Sequence, residues 1–193
     1  MENNLKFSHR FHTKELIFIA LMSALLFVIN FTIGAGIIAV TGIPGSSAFI
    51  TGISNLMFLT FVALVVRKFG VLTLFYLVYA VIALPTHMAG GPPGFIWKIP
   101  LLAISAFLMD IVLYYTKFKK VGFIIGLPIL TVFGFLLYLV TYYLLGMPEF
   151  EKLYSVMVVM SIIFIALGYF GMWIGFILYN KMKNKRIIAQ IAS

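Results

Sequence analysis

The feature that most restricts this chain is a succession of long apolar stretches separated by gaps of a few residues. These stretches approach or exceed the roughly 20 residues that a helix needs to cross a hydrocarbon core of about 30 Å. A soluble fold needs polar residues to face water, and a chain of 193 residues that is 63% hydrophobic and 10% charged has too few of them. Barrel strands would alternate apolar and polar residues in short segments, a pattern the sequence lacks. Backbone groups in lipid must be satisfied internally. The expected class is therefore an all-α integral membrane protein, a six-transmembrane-helix bundle with N-in/C-in topology.

The spans fall at about 15–34, 47–66, 70–86, 95–116, 121–146 and 153–180. They make a single transmembrane domain over 1–193, with a polar N-terminal arm at 1–14 and a polar tail at 181–193. The first stretch, from Leu16 to about Gly34, is longer than a signal-peptide core and has no convincing small-residue cleavage site, so it reads as a mature helix.

A net charge of +9 would point to nucleic acid on a soluble surface. Here the basic residues sit at the ends of apolar spans, and no nucleic-acid partner is expected. Lys6, Arg10, Lys14, Arg67, Lys68, Lys117, Lys119, Lys120, Lys181, Lys183, Lys185 and Arg186 gather on one side, and only Lys98 and Lys152 fall on the other. The positive-inside rule makes the rich side cytoplasmic, in a cell membrane. The absence of cysteine removes disulfides, thiolate metal sites and a cysteine nucleophile.

Turns on the basic side are tight, as at Arg67-Lys68-Phe69-Gly70, whereas the outer connections are longer. Two outer loops carry a Gly/Pro signature, Gly42-Ile-Pro-Gly45 and Gly91-Pro-Pro-Gly94, which is either a faint internal repeat or ordinary turn chemistry.

The first helix carries Ala20 and Ala24 four residues apart, with Ser23 beside them. Small residues at this spacing let another helix backbone approach closely, within the bundle or from a partner. A chain of this length with six spans, a Lys14-Glu15-Leu16 start and this alanine pair resembles the substrate-binding S-components of energy-coupling factor transporters. The resemblance implies that Ala20 and Ala24 contact a separate transmembrane coupling subunit and that two cytoplasmic ATPases drive the complex. It implies no resident cofactor, and a vitamin-like solute bound near the outer surface beneath the loop at 35–46.

The residues themselves also point to the outer half, because a pocket needs a few polar groups on an apolar wall. Lys98, beside Trp97 about one turn inside the fourth span, either snorkels to headgroups or meets a ligand. His87 in the preceding loop can add a donor or acceptor, and with Lys98 it would suit a carboxylate, phosphate or polar ring substituent. The amide of Asn55 must find a partner in another helix or in a substrate. Tyr138, Thr141, Tyr142, Tyr154, Ser155 and Ser161 can stack on and hydrogen-bond a flat heterocycle; the alternative is an aromatic belt, above all for Tyr142 and Tyr143.

Asp110 is the acidic residue well inside a span, and it demands a partner or serves as a cation or proton site. Gly122 with Gly126, and Gly168, Gly171 and Gly175, mark close-packing faces. An enzyme is not expected, because no inward serine–histidine pair, paired carboxylates or two-histidine metal site is present. The remaining rival is a self-contained secondary transporter or channel. Against it stands the lack of paired Gly/Pro-broken helices at the midplane.

Overall fold

The computed structural model describes residues 10–41, 48–89, 92–146, 150–185, 188 and 191. It is all-helical: α1 (Thr13–Thr41), α2 (Ala48–Val66), α3 (Val71–Ala83), α4 (Lys98–Tyr115), α5 (Lys120–Leu144) and α6 (Phe150–Met182). Stretches of α1, α4, α5 and α6 are long and apolar enough to cross a membrane, and the described parts of α2 and α3 are shorter apolar helices. With 13 residues, α3 extends about 20 Å, less than a hydrocarbon core. The third span expected at 70–86 thus ends three residues early, in the turns that follow Ala83. α1 does the reverse and continues to Thr41, seven residues past the expected Gly34.

Neighbouring helices close a ring in the order α1, α2, α6, α5, α4, α3, with a further contact between α2 and α3 across its middle. The core lies between them, around Leu59, Val62, Leu72, Phe75, Met109 and Leu113. Exposed apolar side chains, Leu21, Val28, Ile124, Val140, Ile162 and Trp173 among them, cover the outside, as a bundle in lipid requires.

The tightest contact is between α2 and α6. A Cβ on Gly171 would collide with the Ile53 backbone carbonyl, and one on Gly175 would lie 2.7 Å from the Met57 carbonyl oxygen. Glycine at these positions lets two backbones touch, which is how apolar helices gain packing energy without a hydrophobic driving force.

Backbone groups freed inside the helices find partners on their neighbours. Pro128 in α5 lacks the N–H that would bond the Ile124 carbonyl four residues back. The Tyr169 hydroxyl of α6 donates to that carbonyl at 3.0 Å.

Both ends of α3 are held in the same way. Its N-cap, Gly70, has a left-handed backbone and no side chain to cap with. The Asp110 carboxylate of α4 supplies the cap, accepting the N–H of Leu72 at 3.1 Å and of Thr73 at 2.9 Å and the Thr73 hydroxyl at 2.7 Å. Beyond the other end, the buried Lys98 ammonium donates to the Thr86 carbonyl at 2.5 Å. A carboxylate at the N-terminus and an ammonium near the C-terminus both complement the dipole of α3.

The basic end is knitted together as well. Glu15 accepts the His12 N–H at 2.7 Å, one half of a capping box, and pairs with Lys68 at 2.8 Å. Arg67 donates to the Tyr179 hydroxyl at 3.0 Å.

Candidate functional site

At the end of the bundle remote from the basic turns lies a cavity of about 380 Å³, within the range of small-molecule sites. Its walls come from Asn55 and Leu56 on α2, Tyr76 and Tyr79 on α3, Met88 and Ala89 in the connection to α4, Leu102 on α4, a run of α5 from Leu130 to Tyr142, and Phe164 on α6. Two sides differ in chemistry. On α5 and α6 the wall is aromatic: Phe135 and Phe164 pack edge-on at 5.5 Å, and Tyr138 and Tyr142 at 6.3 Å. The α2 and α3 side carries the polar groups, Asn55, Tyr76 and Tyr79.

Periodicity explains this arrangement. Tyr76 and Tyr79 are three apart, as are Phe135 and Tyr138, so each pair shares a helix face, and Thr131 and Gly134 extend the α5 face. The missing side chains of Gly52 and Gly134 and the short one of Thr131 leave the volume that the rings surround.

A polar network behind the wall fixes its orientation. Asn30 of α1, buried, accepts the Ser54 hydroxyl on Oδ1 at 2.5 Å. Its Nδ2 donates to Asn55 Oδ1 and to the Tyr79 hydroxyl oxygen, both at 3.1 Å. The Tyr138 hydroxyl donates to the Ala89 carbonyl at 2.6 Å, tying the connection between α3 and α4 to α5 across the cavity.

Of the residues singled out from the sequence, Asn55, Tyr138 and Tyr142 are brought together on the cavity. Lys98 is fully buried and turned to the Thr86 carbonyl, so it steadies the connection whose Met88 and Ala89 line the cavity without lining it itself. His87 and Trp97 are exposed and lie outside the cavity wall, as does Thr141. Ser161 is buried on α6, away from the wall, and its hydroxyl has no hydrogen-bond partner among the described residues. The side chains of Tyr154 and Ser155, and residues 42–46, lie outside the described residues; residues 35–41, expected as the start of the outer loop, are the last turns of α1. Tyr142 is buried and lines the cavity, whereas Tyr143 is 68% exposed, as a belt residue would be.

Sequence reasoning did not single out Asn30, Tyr76 or Tyr79. The available signal was Asn30, a second amide in an apolar span, which has to be paired with something.

The alanine pair divides. Ser23 beside it is buried and donates to the Phe75 carbonyl of α3 at 2.9 Å, so that side of α1 packs within the bundle. Ala20 is exposed, flanked by Leu16, Ile17 and Leu21, and Ala24 is half-buried. No group of three or more potential metal ligands occurs among the described residues.

The fold and cavity define a class: an all-helical membrane protein with an aromatic-walled cavity near one end. No protein-family profile, curated protein or solved structure matches the chain.

Proposed function

We propose that this protein is the membrane-embedded substrate-binding subunit of an energy-coupling factor type transporter, which binds a small vitamin-like solute for uptake. In this reading the chain crosses the cell membrane six times with both termini in the cytoplasm. The short α3 reaches the outer surface through the turns that follow it. A transmembrane coupling subunit docks on the exposed face of α1 around Ala20 and Ala24, and two ATPases supply the energy.

The observation that carries the reading is the cavity: about 380 Å³, walled by aromatic side chains, at the end of the bundle opposite the basic turns. The positive-inside rule turns that end outward, where an uptake protein meets its solute. Against an ion-coupled transporter stands the use already made of the buried charges, since Asp110 and Lys98 are committed to holding α3.

Reconstitution into vesicles tests the reading. Solute should enter only when the coupling subunit and ATPases are present and ATP is supplied. Uptake by the isolated chain driven by an ion gradient would overturn it in favour of a secondary transporter.

A further inference from the structure

We infer that the cavity selects a neutral, flat ring system with hydrogen-bond acceptors along one edge, and that Asn30 sets this preference without touching the ligand. The inference rests on the cavity being the solute site and specifies the chemistry of that solute.

The Ser54 hydroxyl donates to Asn30 Oδ1, and Asn30 Nδ2 donates to Asn55 Oδ1 and to the Tyr79 hydroxyl oxygen. Asn55 therefore accepts on its Oδ1 and retains both protons of its Nδ2; Tyr79 accepts on its hydroxyl oxygen and retains its proton. The Tyr76 hydroxyl adds a third donor, and all three side chains line the cavity. Donors facing an apolar cavity gain from acceptors, so a ligand that offers acceptors to the α2 and α3 side is favoured there.

The opposite wall, with Phe135, Phe164 and Tyr138, presents rings against which a planar ligand stacks. No charged side chain lines the cavity among the described residues, so an anion would enter without a counter-ion. The ligand class is thus a neutral nitrogen or carbonyl heterocycle, not the carboxylate or phosphate that Lys98 would have suited.

Three bicyclic probes of similar size test this by titration of the detergent-solubilised chain: phthalazine with two adjacent ring-nitrogen acceptors on one edge, 2,3-diaminonaphthalene with two donors there, and the anion 2-naphthoate. Phthalazine should bind about tenfold more tightly than either of the others. The ionised carboxylate of Asn30→Asp only accepts, so it should turn Asn55 and Tyr79 around and reverse the preference between phthalazine and 2,3-diaminonaphthalene. Should that variant not fold, Tyr79→Phe decides: it should weaken phthalazine about fivefold and leave the diamine unchanged. The inference is overturned if 2-naphthoate binds at least as well as phthalazine, or if the variants weaken every probe in proportion. Binding of none of the three would overturn the cavity as a solute site and this inference with it.

Discussion

Lys98 and Asp110, twelve residues and about 18 Å apart on α4, hold the turn just past the C-terminus of α3 and its N-terminus, α3 being a helix of nearly that length. Their opposite charges match the opposite ends of the α3 dipole. These two buried charges of α4 thus act as a frame for the helix that carries Tyr76 and Tyr79.

Asp110→Asn replaces two acceptor oxygens by one and turns an amide toward backbone donors. The variant should lose about 2–4 kcal/mol of stability. Unfolding of the solubilised chain by a denaturing detergent measures this. A stability equal to wild type would show that the cap does not hold α3.

Lys98→Met keeps the stem of the side chain and removes the ammonium. Hydrogen exchange at residues 86–89 should accelerate, and solute should leave faster, because Met88 and Ala89 lose one of their tethers. Tyr138→Phe, which removes the other, should act in the same direction. Unchanged exchange at these amides in both variants would separate Lys98 and Tyr138 from the wall.

Tyr169→Phe should cost about 1–2 kcal/mol by leaving the Ile124 carbonyl without a donor. The same change in a Pro128→Ala background should cost much less, since an alanine at that position restores the helical N–H. This non-additivity is the signature of a shared carbonyl. Additive losses would mean that Tyr169 acts through packing alone.

How legible these features were differs from residue to residue. Apolar length and the absence of alternation were enough for the all-α class, because lipid leaves the backbone few options. That Asp110 needs a partner was equally readable. Which partner was not, because the amides of Leu72 and Thr73 leave no trace in a side-chain pattern. Lys98 reads as a ligand contact for the same reason: nothing in the sequence places the Thr86 carbonyl beside it. Asn55 and Tyr138 were visible as polar groups at membrane depth. Tyr76 and Tyr79 were not singled out, because which face of α3 turns inward depends on the ring order of the helices.

Gly171→Ala places a methyl group against the Ile53 carbonyl and should separate α2 from α6, lowering stability by about 1–3 kcal/mol. Gly36→Ala on α1, where a Cβ meets nothing within 4 Å, should be neutral or mildly stabilising. Unfolding midpoints of the two variants side by side check the contrast. Equal behaviour would remove the close α2–α6 approach from the account.

Docking and binding are expected to separate. Ala20→Trp on the exposed face of α1 should abolish co-purification with a coupling subunit and leave solute affinity within about twofold of wild type, as distant sites act independently. Loss of both together would place the solute site on α1 instead.

The central claim, that the aromatic-walled cavity holds a solute, is tested most directly by native mass spectrometry of the purified chain beside a Thr131→Trp variant that fills the cavity. One small neutral molecule should be bound per wild-type chain and none in the variant. A wild-type chain without solute, or equal occupancy in both, would contradict it.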